Sequence, residues 1–139
     1  MAGMILPVQV AINALLRNHV GQAMQATFVS FAIGTFAALG VCVFYRYPLP
    51  TMSSLSNTSW WMWTGGIFGV FYVWATIFTA PKIGTSLAFS LIITGQMLAA
   101  ILLDHFGAFG LEKMPISLTR IIGAILIVSG VILVASTKR

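Results

Sequence analysis

Long apolar stretches alternate with short polar ones along this chain. The clearest example joins the stretches 60–80 and 85–103 through a short break that contains Pro81 and Gly84. Each stretch has about the length of a membrane-spanning helix, and Lys82 is the one charged residue between Trp60 and Leu103. A chain of 139 residues has too few polar residues to cover two such helices in water. The pattern therefore predicts a helical hairpin embedded in a membrane.

The same pattern predicts three further helices, at 1–16, 23–45 and 118–135. The first is short, because sixteen helical residues extend roughly 24 Å against a hydrocarbon core of roughly 30 Å. Three interpretations stay open for it: incomplete insertion, extra length taken from 17–22, or a true start upstream of Met1. The predicted fold is thus an all-α integral membrane protein with five transmembrane helices, the first one short, in a single domain over 1–139.

Polar segments between the apolar stretches predict the connections. Arg17 to His19 predict a water-facing connection that ends at Gly21, and the Ser/Thr-rich segment 51–59 predicts an exposed loop. Pro81 is expected to end or kink its helix, and 107–115 is expected to be a loop. Three tryptophans (Trp60, Trp61 and Trp63) are typical of the aromatic belt at a membrane surface.

Composition excludes a soluble protein. Hydrophobic residues make up 59% of the chain and charged residues 6%, whereas globular domains carry about a quarter charged residues. Seven basic residues against Asp104 and Glu112 give a net charge of +5. They stand singly at the ends of apolar stretches, where they anchor helices to lipid headgroups, so we exclude a nucleic-acid partner. The lone Cys42 is interpreted as a packing residue.

Basic residues are almost equally divided between the two sides of a five-helix topology. Three lie on the side of the N-terminus (Arg46, Lys113 and Arg120) and four on the other side (Arg17, Lys82, Lys138 and Arg139). Orientation follows Lys/Arg asymmetry, so such a balance favours insertion in both orientations and pairing with an inverted copy. A balance of this kind also arises by chance, or where an assembly partner sets the orientation.

Small residues recur along single helix faces, which is how membrane helices approach one another closely. We predict helix-packing positions on the second, third and fifth helices: Ser30, Gly34 and Ala38; Gly65 and Gly69; Gly123 and Gly130.

Several motifs together resemble the YdcZ-type family of small inner-membrane proteins in the drug/metabolite transporter superfamily. The motifs are PVQ-x-x-x-N at Pro7–Asn13, SF-x-x-G-T at Ser30–Thr35, GG-x-x-G-x-x-YV at Gly65–Val73, P-x-x-G at Pro81–Gly84, and the Gly95–Gly107 block that ends in DHFG. The resemblance covers nearly the whole chain. It implies a multi-pass protein of the bacterial inner membrane, an EamA-like half-transporter that works as an antiparallel dimer (dual topology) with itself or with a sister chain. It also implies half of an inverted-repeat transporter and the export of a substrate that is not settled for the family.

Neutral polar side chains inside apolar stretches are the candidate substrate-binding residues. Gln9 and Asn13 lie four residues apart on one helix face, and buried amides need partners. They either bond neighbouring helices or line a substrate cavity, and the family pattern favours the cavity. Gln96 has the same two interpretations. Tyr72 shares the small-residue face and is expected inside, whereas Trp74 faces either lipid or substrate.

Charged residues at the helix ends have more than one interpretation. Lys82 is either an interface anchor or, beside a helix end, a site for an anionic group. Asp104 and His105 suggest a proton relay, but their position at a helix end beside Gly107 is explained more simply by an interface or capping role. No acidic or basic residue lies in the middle of an apolar stretch, so no embedded acid is available to couple transport to protons.

The sequence lacks the motifs of the enzymes and pumps that would otherwise compete with this interpretation. It has no Gly-rich phosphate loop and no Gly-x-Ser-x-Gly turn, so we expect neither an enzyme nor a cofactor or metal. We therefore predict a secondary transporter that exports a small organic metabolite or drug-like compound through a central cavity of an antiparallel dimer. The alternative is a non-transporting assembly or regulatory subunit that packs against a larger membrane protein.

Overall fold

The computed structural model describes residues 2–136, with side chains from residue 3 onward, and these residues form helices and no strand. Met1 and residues 137–139, which include the basic Lys138 and Arg139, lie outside the described residues. Six α-helices follow one another: α1 (Ala2–Val20), α2 (Ala23–Phe44), α3 (Met52–Ser56), α4 (Thr64–Ile83), α5 (Thr85–Phe106) and α6 (Leu118–Ser136). Two short 3₁₀ turns lie at Trp60–Trp63 and Ala108–Gly110.

Four helical segments in the described part of the chain are long and apolar enough to cross a membrane. They are Ala23–Phe44, Trp60–Ile83, Thr85–Phe106 and Leu118–Ser136. Their bounds lie within three residues of those expected from the hydrophobic pattern. The all-helical membrane protein is therefore confirmed, but α1 is not among these four segments.

The first helix is longer than the sequence pattern predicted. It continues through Arg17, Asn18 and His19 to Val20, so the prediction of a connection at these residues is wrong. The break comes at Gly21, whose positive φ of 96° suits glycine and whose N–H donates to the Arg17 carbonyl at 2.8 Å. Nineteen residues extend roughly 28 Å. Extra length from the 17–22 segment is therefore the interpretation that the structure supports.

The break between α4 and α5 lies at Gly84, which has a positive φ of 86°, and Pro81 does not end α4. Proline inside a helix removes one backbone hydrogen bond. Here Pro81 lies in the last turn of the helix, which continues to Ile83. The loop expected at 51–59 contains the five-residue α3, where Thr51 accepts a hydrogen bond from the Ser54 N–H as an N-cap.

The described chain divides into two compact units at the Lys82–Ile83 bond. In the first unit, α1 and α2 form a hairpin, and α4 packs on it through the buried Val73 and Ile77. They meet Ala23 and Ala26 of α2, and Leu16, Val20, Phe31, Tyr72 and Trp74 pack around this core. Ala26 and Ile77 are fully buried, because a small alanine lets the larger side chain of the facing helix come close.

In the second unit, α5 and α6 pack against each other in opposite directions. Met97 Cε lies 3.9 Å from where a Cβ on Gly123 would be, and Asp104 forms an ion pair of 3.1 Å with Arg120. Met97 lies before Asp104 on α5, whereas its partner Gly123 lies after Arg120 on α6. The two helices are therefore antiparallel. Gly107 ends α5 in the left-handed conformation, as αL helix caps require.

The loop after α5 is held by Asp104 and His105. The Met114 N–H donates to the Asp104 carbonyl at 2.8 Å, and the Ile116 N–H donates to His105 Nδ1 at 3.3 Å. Arg120 also donates to the Met114 carbonyl at 3.4 Å. These contacts give both members of the Asp-His pair structural roles at the helix end.

We expect the Asp104–Arg120 pair to stabilise the second unit modestly. The two side chains are 34% and 28% exposed, so solvent screens their attraction. A double-mutant cycle with Asp104→Asn and Arg120→Gln should give a coupling of about 0.5–1 kcal/mol. Thermal unfolding in detergent measures it, with the exposed pair Glu112→Gln and Lys113→Gln as the control expected to show no coupling. A coupling energy of zero between Asp104 and Arg120 would contradict the prediction that this ion pair is stabilising.

Apolar side chains cover most of the exposed helix surface. None of the described residues of α6 is buried, and α2 buries three residues near its start (Ala23, Ala26 and Thr27). Such helices need lipid or another protein around them. The small residues Gly34 and Ala38 lie on this exposed part of α2.

Candidate functional site

A groove of about 310 Å³ lies between α1 and α2 in the first unit. It is lined mainly by apolar side chains, and three polar side chains (Gln9, Asn13 and Ser30) complete the wall. The apolar members are Ile5, Val8, Ile12, Leu16 and Ile33. None of the described residues that line the groove is charged. It therefore offers hydrogen-bonding groups within an apolar, uncharged wall, the usual arrangement for binding small organic molecules.

Asn13 is the most distinctive residue of this groove. It is 5% exposed, and its amide Nδ2 is buried without a hydrogen-bond partner. An unsatisfied buried donor costs about 1–3 kcal/mol. Gln9, one turn earlier on the same helix, is half-buried and lines the same groove. The two amides that were paired from their sequence spacing are thus brought to one wall.

Buried hydroxyl groups nearby differ from Asn13, because they are satisfied within their own helices. Thr27 donates to the Ala23 carbonyl at 2.9 Å, and Thr76 donates to the Val73 carbonyl at 2.8 Å. Such back-bonding needs only a short hydroxyl side chain in a helix. The Asn13 Nδ2, by contrast, has no hydrogen-bond partner among the described residues.

Tyr72 and Trp74 lie in the same unit but do not line this groove. Tyr72 packs against the core and its hydroxyl is buried without a partner, in keeping with the interior position expected for it. Trp74 is half-buried and lies between the rings of Phe71 and Phe78, at centroid distances of 5.9 and 6.1 Å. The Lys82 Nζ lies 3.4 Å from the Phe78 ring centroid, so its charge is held by a cation–π contact.

Gln96 belongs to the second unit, where it lies exposed on α5. Neighbouring hydroxyl groups on that helix bond to its own backbone: Ser90 donates to the Ser86 carbonyl at 2.8 Å and Thr94 to the Ser90 carbonyl at 2.9 Å. The structure thus brings Gln9 and Asn13 together and leaves Gln96 as a separate candidate.

The predicted packing positions differ in their surroundings. A Cβ on Gly69 would lie 3.2 Å from Phe31 Cζ, so the Phe31 ring of α2 reaches α4 at this glycine. Gly34, Gly65 and Gly130 have open space around them. Ser30, which we predicted as a packing residue, lines the groove. In the sequence, Ser30 lies one helix turn before Gly34, and this spacing fits both a packing residue and a groove-lining residue.

The described residues contain no group of three or more His, Cys, Asp or Glu side chains placed to hold a metal ion.

The ion pair between Asp104 and Arg120 was not predicted from the sequence. The sequence feature that points to this ion pair is the short connection between α5 and α6, because it brings an acid at the end of α5 close to a base at the start of α6.

Comparisons with known proteins agree with this architecture. The profile of a family described as "Putative inner membrane exporter, YdcZ" matches residues 1–133. The chain is also similar to the inner membrane protein YdcZ of Escherichia coli (strain K12), with 25% identity over 134 residues, which cover 96% of this chain and 89% of that protein. No solved structure matches the chain.

Proposed function

This chain belongs to the YdcZ family, whose description is "Putative inner membrane exporter, YdcZ", and from that membership we propose that it is a secondary transporter that exports a small, uncharged organic compound. In this proposal, it works as an antiparallel dimer with a central cavity, and α1 serves as the fifth membrane span. Localisation in the inner membrane follows from the family and from the four long apolar helices.

The observation that carries the proposal is the unpartnered amide of Asn13 in an uncharged groove. A donor kept buried without a partner lowers stability, and a substrate that accepts its hydrogen bond recovers that loss on binding. A carbonyl, ether or hydroxyl oxygen on the substrate would serve as the acceptor. Gln9 and Ser30 supply further polar contacts on the same wall.

The lack of charge in the groove wall supports an uncharged substrate. Moving an ion from water into an apolar site costs several kcal/mol unless an opposite charge lies there, and each 1.4 kcal/mol is a factor of ten in affinity. The described residues of the groove provide no such charge. A cation of similar size should therefore be excluded.

The proposed dimer rests on two features of the chain. Its basic residues are almost balanced between the two sides of a five-span topology. Small residues with open space beside them (Gly34, Gly65 and Gly130) are available for close helix contacts. Inverted repeats are a common design of secondary transporters, with the substrate site at the repeat interface. We propose Tyr72, Trp74 and Gln96 as further members of the wall that the second copy completes.

Export of matched dyes tests this function. Cells that lack their own multidrug pumps are loaded with uncharged fluorescent compounds and with quaternary ammonium versions of the same compounds. Cells that produce this protein should lose the uncharged compounds several times faster than cells with an empty vector, and the cationic versions at the vector rate. Selective loss of the cations, or loss of neither set, would contradict the proposal.

The alternative is a non-transporting assembly subunit whose amides hold helices together. The double substitution of Gln9 and Asn13 with Leu separates the two functions. A transporter should keep its fold and lose export, whereas a subunit should release its partner or show no change. Co-purification and export are measured on the same membranes.

A further inference from the structure

A second groove, of about 370 Å³, lies along α1 and reaches Pro81 in the last turn of α4. Its wall consists of Ala11, Ala14, Leu15, Arg17, Asn18 and Pro81. The two grooves have no lining residue in common. This groove is therefore separate from the one that carries the proposed transport function, and a role for it does not depend on that function.

The arginine in this groove has no acidic partner. Residues 1–82 contain no aspartate or glutamate, and the Arg17 guanidinium forms no ion pair within the described residues. Arg17 is nevertheless half-buried in the last turn of α1. Of the two acids in the chain, Asp104 is already paired with Arg120. A partly buried positive charge without a counter-charge favours an anion from outside the chain.

The shape of the groove decides which kind of anion fits. Ala11 and Arg17 are six residues apart, which corresponds to about 9 Å along the helix axis. The charged end lies next to the polar boundary at Gly21, and the apolar end lies deeper in the helix. A free phosphate ion would leave the apolar part empty, whereas a phospholipid fills both parts with its headgroup and the start of an acyl chain.

We propose that this groove, named the Arg17 groove, binds an anionic phospholipid. The Arg17 guanidinium donates to the phosphate, the Asn18 amide donates beside it, and an acyl chain lies over Ala11, Ala14 and Leu15. Basic pockets between membrane helices are known to hold lipid headgroups, and the planar guanidinium suits a bidentate phosphate contact.

The experiment is a lipid titration of the purified full-length protein by native mass spectrometry. The probes are dioleoyl phosphatidylglycerol, which is anionic, and dioleoyl phosphatidylethanolamine, which is net neutral. For the wild type, the first phosphatidylglycerol should bind about tenfold more tightly than phosphatidylethanolamine. Arg17→Gln should abolish this preference, and Arg17→Lys should keep part of it, because lysine lacks the bidentate geometry.

Two further variants control for charge and for groove shape. Arg46→Gln removes an exposed arginine at another helix end and should leave both affinities unchanged. Ala11→Trp fills the apolar end from an exposed position, so it should weaken phosphatidylglycerol binding about tenfold without unfolding the helix. Circular dichroism confirms that each variant is folded, and the mass spectra give the ratio of monomer to dimer for each.

Four results of the lipid titration would overturn the proposal. They are an unchanged preference in Arg17→Gln, an equal loss in Arg46→Gln, an unchanged affinity in Ala11→Trp, and displacement of the lipid by millimolar inorganic phosphate, which would identify a simple anion site. Loss of the dimer in Arg17→Gln would assign the guanidinium to a carboxylate of another copy and would equally overturn it.

Discussion

Replacing Asn13 with Leu should reduce export by about 10- to 100-fold while the protein stays folded. The substitution keeps the branched shape and the number of side-chain heavy atoms but removes the donor that lacks a partner in the groove between α1 and α2. Loss of one buried hydrogen bond to substrate costs about 1–3 kcal/mol, and each 1.4 kcal/mol is a factor of ten. Initial rates of dye export over a range of dye concentrations measure the effect.

The stability of the Asn13→Leu variant, unlike its export rate, should not fall. Because Nδ2 is buried without a partner, leucine at this position should leave the midpoint of thermal unfolding unchanged or raise it. An amide that holds two helices together would instead lower the midpoint when it is removed. Asn57→Leu, in the exposed loop after α3, is the matched control and should alter neither quantity. A fall in stability together with normal export would contradict the proposed role of Asn13.

Fixing the orientation of the chain should abolish export, and two oppositely fixed chains produced together should restore it. Arg46→Gln with Lys113→Gln leaves one basic residue on the side of the N-terminus against four on the other. Adding lysines at Asn57, Ser59 and Glu112 makes six against four. These five positions are exposed, so the substitutions should not disturb packing. Charge bias of this kind sets orientation, and each fixed chain should export at roughly a tenth of the wild-type rate or less.

Complementation makes this prediction specific. Two chains that are inactive alone and active together show that one copy in each orientation is needed. Full activity of one fixed chain by itself would contradict the inverted pair. Equal amounts of each chain in the membrane, measured by immunoblotting, exclude poor expression as the reason for lost export.

The fold was largely predictable because membrane helices are long, apolar and separated by polar breaks. The four long apolar helices begin and end within three residues of the predicted bounds. The exception is α1, where Arg17 to His19 looked like a connection. Polarity marks where a chain leaves the hydrocarbon, but a helix ends only where the backbone dihedral angles leave the helical range. In α1 that point is the positive φ of Gly21.

The site was predictable in part. Asn13 and Gln9 could be paired from their spacing on one helix, because a period of 3.6 residues fixes which side chains share a face. Ser30 belongs to another helix, and its place in the same groove depends on how α1 and α2 pack. Contacts between helices, such as Asp104 with Arg120, depend on such packing and are not contained in the pattern of a single helix. The same limit applies to the Arg17 groove.

The central claim is that this chain is half of a transporter and is completed by an inverted copy of itself. The most direct measurement is the side of the membrane on which the C-terminus lies, determined with two reporters fused after Arg139. One reporter is active only in the cytoplasm and the other only outside it, and separate fusions are compared at equal expression. We predict that both fusions are active. Activity of one reporter alone would contradict pairing with an inverted copy and would point to a sister chain or to the assembly-subunit function.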